Sequence, residues 1–440
     1  MDPMAGWLLG QEARALEERL RGVKSFALHE PMVPAAGLSP AAQLGIERHM
    51  AAARRQLVAR VREYLDWLER GPGLQAAPSE AQRRFSFLRI RFNLALSDFE
   101  IFSAALTQRS EHDNGVWLAG LDVAAADALR LPDGYFEPPP LMCYLDRGFG
   151  AAIRRARTRL PGGGASPVAV IRIPRERMVG SGIASSLVHE VGHQAAALLN
   201  LVESVRPLLR ALRDKGGSEE PAWRMWERWI SEILADLWSV ARIGAGSTLG
   251  LLGVVSLPRA FVFRLSLDDP HPVPWIRMRL SCALGAALYA HPQWARLSAL
   301  WERLYPLDGL DDGRRALFHA LHNTMPAFVA LVLNHRPRSL RGKSIAEALY
   351  NPNLRPSHLL WLWGRWRATP AAKYRTPPSE AFAAIGQARL SGWIDPAGES
   401  RLVAALLRNW ALRRSLANAS ACQGRDAETR YVNQQIAAAG

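Results

Sequence analysis

One short segment constrains this chain more than any other: His189-Glu190-Val191-Gly192-His193, within residues 185–194. Its apolar surroundings predict a buried helix. Because residues four apart lie on one face of a helix, both imidazoles can point at one metal ion about 2.0–2.1 Å away. Glu190 then lies beside that ion rather than on it, where a general base for a bound water belongs.

This pattern rarely arises by chance. The chain contains 11 histidines, and about 0.01 accidental matches are expected for a sequence of this composition. The alternative interpretation is a pair of surface histidines on a helix with an unrelated glutamate after the first. The rarity of the pattern favours a metal site over that alternative.

A catalytic zinc site also needs a third protein ligand and one open position. A third histidine in the extended form of the pattern would stand at position 199 after a glycine at 196, but the chain has Ala196 and Leu199 there. Glu232 and Asp236, four apart in an apolar helical segment, form the first downstream Glu-x-x-x-Asp pair. Because buried carboxylates need a charged partner, we expect Glu232 to be the third ligand and Asp236 to accept a ligand histidine's free N–H. The alternative is an exposed acidic pair beside arginines of the same segment.

The pattern His189-Glu190-x-x-His193 followed by Glu232-x-x-x-Asp236 resembles the zinc metallopeptidases of the gluzincin type, the broad thermolysin-like group. The resemblance covers residues 165–280. It implies a Zn²⁺ ion on His189, His193 and Glu232, with Glu190 activating the water and a peptide or protein as the substrate. The gap of 39 positions between His193 and Glu232 is longer than in thermolysin. A substrate-binding motif is not recognisable on the strand expected at 168–173.

Two further candidates lie past the second segment, where enzymes of that group often place a donor that stabilises the developing oxyanion. They are His271, between two prolines, and Arg277. A proline-flanked histidine is alternatively a turn residue. Tyr144 and Tyr305 are weaker candidates of the same kind. The tryptophan-rich run at 359–366 favours core packing over a binding platform, because a tryptophan buries a large area.

The order of apolar patterns predicts an α+β fold, mostly α, with a zincin-like core at 111–300 between helical regions at 1–110 and 301–440. Short apolar runs at 116–121, 141–145 and 168–173 predict strands, and the pattern at 151–160 predicts a helix. Two long helices are predicted at about 182–213 and 221–242. They would carry the metal ligands as an antiparallel pair.

Composition narrows the classes of partner. The formal net charge is +15, and only Lys24, Lys215, Lys343 and Lys373 are lysine among 55 basic residues. The arginines are spread along the chain rather than gathered in one patch, so no specific nucleic-acid partner is expected. The three cysteines form no CxxC pair, which indicates a reducing compartment. Without a signal-peptide pattern or an apolar run long enough to cross a bilayer, we expect a cytoplasmic protein with no transmembrane segment.

The sequence therefore predicts a zinc-dependent metallopeptidase in which Glu190 is the general base. Three alternatives stay open at this point. The chain could be a helical scaffold with a structural or relic zinc site, a basic nucleic-acid-binding protein, or an effector delivered by a dedicated machine.

Overall fold

The computed structural model describes residues 1–23, 32–147, 150–175, 180–266 and 268–438. Helices make up 74% of it, together with a small mixed sheet of three strands, which confirms the predicted α+β, mostly α class. The chain divides into two compact units. The first contains Met1–Leu118, Pro139–Tyr144 and Arg154–Val170, and the second contains Ala119–Pro138, Leu145–Ile153 and Ile171–Gly440.

The first unit is built on the long helices at the start of the chain. They are α1 (Pro3–Gly22), α2 (Pro40–Arg70), α3 (Pro78–Thr107) and α4 (His112–Leu129), the last of which continues into the second unit. Short 3-10 helices lie at Pro34–Ala36, Pro72–Gln75 and Gln108–Ser110. Proline stands in the first turn of α1, α2 and α3, where its missing N–H costs no hydrogen bond. The apolar faces of these three helices form one core that includes Leu16, Val61 and Phe85.

Three strands form the sheet, β1 (Leu141–Asp146), β2 (Ala152–Arg154) and β3 (Ala169–Pro174), in the order β1-β3-β2. The strands predicted at 141–145 and 168–173 are confirmed. The strand predicted at 116–121 is wrong, because this run lies inside α4 and is buried on nearly every side, which removes the helical period from its apolar pattern. The helix predicted at 151–160 is also wrong. That segment contains β2 and a turn at Arg157, whose φ of 65° interrupts any helix.

The second unit contains the remaining helices. They are α5 (Ser181–Leu198), α6 (Leu201–Arg213), α7 (Glu220–Ile243), α8 (Ala245–Val255), α9 (Arg259–Val262), α10 (Pro274–Leu288), α11 (Pro292–Leu304), α12 (Asp312–Asn334), α13 (Ile345–Leu349), α14 (Pro356–Ala368), α15 (Pro378–Leu390) and α16 (Pro396–Ala438). Further 3-10 helices lie at Arg338–Leu340, Pro352–Leu354 and Pro370–Arg375. The predicted helix at 221–242 is confirmed as α7. The pattern at 182–213 forms two helices instead of one, because Asn200 takes a left-handed conformation between them.

Helices α5 and α7 pack against each other along their length. A glycine makes this possible: a Cβ atom built on Gly192 would lie 2.8 Å from both the Cα and the backbone oxygen of Ala235. That separation is much shorter than the roughly 3.5–4.0 Å of a normal carbon contact. The two predicted ligand segments therefore run side by side at the distance that only a glycine allows.

In the described part of the chain, one helix, α12, is by its length and composition long enough and apolar enough to cross a membrane. Core helices of water-soluble proteins pass the same test. Phe328 of α12 stacks on Trp226 with ring centroids 4.5 Å apart, and the Trp226 indole N–H donates to the Thr324 hydroxyl at 2.9 Å. These contacts pack α12 against α7.

Candidate metal centre

His189 and His193 lie one turn apart on α5, as their spacing predicts. Their ring centroids are 4.9 Å apart and the rings are nearly perpendicular, at 88°. The helix is held in place by apolar side chains, among them Leu187, Val188 and Val191, that are completely buried. This packing fixes the backbone from which both imidazoles project.

Glu232 of α7 completes a group of three. Its Oε2 atom lies 3.2 Å from Nε2 of His189 and 3.4 Å from Nε2 of His193. The three potential ligand atoms lie within 4.8 Å of one another, and this is the one group of metal-ligating side chains found so close together in the described part of the chain. Ligands about 2.0–2.2 Å from a tetrahedral zinc are about 3.3–3.5 Å from each other, so these separations suit that ion.

The hydrogen bonds around this group indicate which atoms face it. His189 Nδ1 lies 2.8 Å from Oδ1 of Asp236, a buried carboxylate that can only accept, so Nδ1 carries a proton. In the neutral ring the lone pair is then on Nε2 and points at Glu232. Glu232 Oε2 is itself buried and has no partner in hydrogen-bond geometry among the described residues. Two acceptors facing each other in a buried site need a cation between them.

Without a metal ion, protons on the histidines supply the positive charge that faces Glu232. Burial lowers the pKa of His189, but the carboxylates of Asp236 and Glu232 outweigh this effect and raise it to about 9. Burial raises the pKa of Glu232, and the neighbouring imidazoles of His189, His193 and His271 more than reverse this, so that its pKa lies well below the usual range. Glu232 is therefore ionised, as a metal ligand has to be.

Glu190 is buried beside the two histidines and lines a cavity of about 280 Å³. Burial raises the pKa of its carboxyl group, and the neighbouring histidines oppose this rise. A carboxylate with a raised pKa is a stronger base than an exposed glutamate, which suits proton transfer near neutral pH. Apolar residues also line the cavity, among them Leu251, Val254, Val255, Leu257 and Pro274.

Asp236 faces His189 as predicted, and the same carboxylate also pairs with Arg277. Its Nε and Nη2 atoms donate to the two carboxylate oxygens of Asp236, at 2.7 and 2.9 Å. The Arg277 side chain is only 11% exposed. The guanidinium thus contacts the Asp236 carboxylate, and Arg277 also lines the cavity that Glu190 borders. Its expected role as an oxyanion-stabilising donor stays a prediction.

His271 lies at the edge of the same site. Its Nε2 atom is 3.1 Å from Glu232 Oε2, and its ring stacks on that of His189 with centroids 6.5 Å apart. Asp269 accepts hydrogen bonds from the Nδ1 atom of His271 at 2.7 Å and from its backbone N–H at 3.0 Å. The histidine is thus both a turn residue and a member of the cluster. Sequence reasoning missed Asp269, although its position two residues before a proline-flanked histidine was a usable signal for a side chain–backbone turn.

The remaining candidates, two tyrosines and the tryptophan-rich run, lie outside the three-atom group. The Tyr305 hydroxyl donates to the backbone oxygen of Leu257 at 2.9 Å, at the margin of the cavity. Tyr144 belongs to the first unit, and the histidines belong to the second. In the tryptophan-rich run, Trp363 and Trp366 are buried against each other while Trp361 is exposed. Two of the three tryptophans of that run therefore pack inside the unit, as expected.

Comparison of the chain with protein-family models, with curated proteins and with solved structures finds no match in any of the three. The family resemblance therefore rests on the residues of the site alone, and what it implies about activity is taken up below as a proposal.

Proposed function

We propose that this chain is a zinc-dependent hydrolase, a metallopeptidase of the gluzincin type with a zincin-like core, that cleaves peptide bonds. One observation carries the proposal: the buried Glu232 Oε2 atom lies 3.2 and 3.4 Å from the Nε2 atoms of His189 and His193 and makes no hydrogen bond among the described residues. Two imidazoles and one carboxylate are the ligand set of a catalytic zinc site, which leaves one position open.

The neighbouring side chains support catalysis beyond metal binding. Bound zinc would polarise the scissile carbonyl and lower the pKa of the water at its open position. Glu190, buried and next to His189, would take a proton from that water and return it to the leaving amine. Asp236 would hold the Nδ1 proton of His189, so that Nε2 stays directed at the metal. His271 lines the same cavity as Glu190 and would donate to an oxygen that becomes negative during the reaction.

Substitution of Glu190 tests the proposal, because this residue is expected to act on the water and not to bind the metal. Glu190→Gln should keep one zinc per chain, measured by mass spectrometry of metal content. It should also lower hydrolysis of a mixed-sequence quenched fluorescent peptide library by at least about 10²-fold. The matched control is Glu203→Gln on α6, where an exposed glutamate pairs with Arg206, and this variant should behave like the unmodified protein.

Two results would overturn the proposal. If the unmodified protein binds no zinc after incubation with the metal, the site is not a zinc site. If it binds zinc tightly but Glu190→Gln hydrolyses peptides as fast as the unmodified protein, or neither hydrolyses any, the metal is structural and the helical-scaffold interpretation stands.

A further inference from the structure

The outer face of α3 in the first unit carries an apolar stripe that no described residue covers. Phe87, Ile90 and Leu94 are 62%, 53% and 40% exposed. Their spacing of three and four residues places them on one side of the helix, opposite the side on which Phe85 and Phe92 are buried in the core. Water does not favour three neighbouring exposed apolar side chains, so such a stripe marks an interaction surface.

Arginines surround this stripe. Between Glu80 and Asp98, α3 has no acidic residue and four basic ones, Arg83, Arg84, Arg89 and Arg91. Arg84 pairs with Glu80 and lies over the ring of Trp67. The other three form no ion pair within the described part of the chain. Since Arg83 and Arg91 lie four residues before and after Phe87, uncompensated positive charge borders the apolar side chains directly.

A second group of exposed apolar residues lies at the end of the bundle where α3 begins. The amino group of Met1 donates to the backbone oxygen of Leu74 at 2.6 Å, which holds the start of α1 beside the turn that precedes α3. Met4, Trp7 and Leu8 on α1 are 77%, 64% and 52% exposed. Both helices of this bundle therefore present exposed apolar side chains.

We propose that this face of the first unit binds peripherally to the surface of an anionic phospholipid membrane. Phenylalanine, tryptophan and aliphatic side chains bordered by arginines have the chemistry of helices that lie in the plane of a membrane interface. The apolar side chains enter the boundary between headgroups and acyl chains, while the arginines reach the phosphates and carboxylates of the headgroups. Arginines without an acidic partner beside the exposed stripe are complementary to an anionic surface, which favours anionic lipid headgroups as the occupant. This inference does not depend on the proposed hydrolase activity.

Vesicle flotation with the full chain tests the inference. The protein should float with vesicles of phosphatidylcholine mixed with phosphatidylserine and not with phosphatidylcholine alone, and added salt should weaken binding by screening the arginines. A triple variant, Phe87→Ser with Ile90→Ser and Leu94→Ser, should bind the anionic vesicles with an affinity on the order of tenfold lower than that of the unmodified protein. A second variant, Arg83→Gln with Arg89→Gln and Arg91→Gln, should show a similar loss.

The matched control removes exposed apolar side chains from another helix: Leu300→Ser with Leu304→Ser on α11, which are 40% and 57% exposed. It should bind vesicles like the unmodified protein, and circular dichroism should show all variants folded. Equal binding to neutral and anionic vesicles, or equal loss in the control, would overturn the inference. Two other results would also overturn it. The protein could fail to bind vesicles and instead form a dimer that the serine triple variant abolishes, or it could bind nucleic acid alone.

Discussion

Arg277 Nε lies 2.7 Å from Oδ2 of Asp236, and Arg277 Nη2 lies 2.9 Å from Oδ1 of the same carboxylate. Both side chains are nearly buried, at 11% and 10% exposed. A buried arginine needs such a two-point contact with a carboxylate, because an unpaired charge there would lose its hydration without compensation. The pair also fixes the orientation of the oxygen that Asp236 presents to His189 at 2.8 Å. The buried ion pair of Arg277 and Asp236 therefore orients His189 in the candidate metal centre.

Breaking that ion pair should destabilise the fold. Arg277→Gln leaves the Asp236 carboxylate buried without its main partner, and loss of one member of a buried pair costs about 3–5 kcal/mol. Urea denaturation of the metal-free protein measures the free energy of unfolding. The control is Arg210→Gln, which removes an exposed arginine paired with Glu227 and should cost less than about 1 kcal/mol. If both variants lose the same small amount, the pair does not stabilise the fold as proposed.

Asp236 should affect zinc binding without touching the metal. Asp236→Asn keeps the shape of the side chain but weakens its hold on the Nδ1 proton of His189, and such changes lower metal affinity about 10–100-fold. Competition with a chromophoric chelator measures the affinity of the folded variant. Asp269→Asn is the matched control, since Asp269 holds His271, which lies outside the three-atom group. Equal losses in the two variants would contradict a specific role for Asp236.

The local spacing of the site residues could be read from the sequence because it depends on helix periodicity alone. Residues four apart share a helix face in any context, so His189 with His193, and Glu232 with Asp236, were predictable as pairs. That the two pairs meet is a tertiary fact. The sequence supported it only through chemistry: buried carboxylates and buried imidazoles need each other. The role of Arg277 was not predictable, because an arginine near a site can face the substrate or a carboxylate with equal ease.

The wrong strand at 116–121 arises because short apolar runs do not distinguish a buried helix from a strand. Residues 116–121 belong to α4 and are buried on almost all sides, so the helical period disappears from their pattern. Strands β1 and β3 could be predicted because proline and glycine flank their apolar runs. The pattern of residues 151–160 predicted a helix, but pairing of the segment with residues 165 and 166 decides its conformation.

The three cysteines should react at very different rates. Cys422 is exposed, whereas Cys143 and Cys282 are buried, and burial raises the pKa of the Cys282 thiol to about 12. Since only the thiolate attacks a disulfide reagent, Cys282 should stay unreactive at neutral pH until the protein unfolds. Titration with an aromatic disulfide reagent should show one fast thiol per native chain and three in denaturant. A Cys422→Ser variant should lose the fast phase alone. Rapid reaction of a second native thiol would show that one of the buried sites opens readily.

The close contact of α5 and α7 at Gly192 should control both stability and metal binding. An alanine Cβ at this position would lie 2.8 Å from the backbone of Ala235 and 3.0 Å from Cβ of Trp238. Backbone atoms cannot rotate away as a flexible side chain can, so the two helices have to separate. Overpacking of this kind costs about 1–3 kcal/mol. Because His193 follows Gly192 directly, the separation should also lengthen the distance from His193 to Glu232 and weaken zinc binding.

Gly253→Ala on α8 is the matched control, since a Cβ atom there meets no atom within 4 Å. Alanine in an exposed helical position is favoured over glycine by about 0.5–1 kcal/mol, so this variant should be slightly more stable and should bind zinc normally. Thermal unfolding and zinc titration of both variants measure the two effects separately. If Gly192→Ala is as stable as Gly253→Ala and binds zinc equally well, then the approach of the two helices at this glycine does not set the geometry of the ligands.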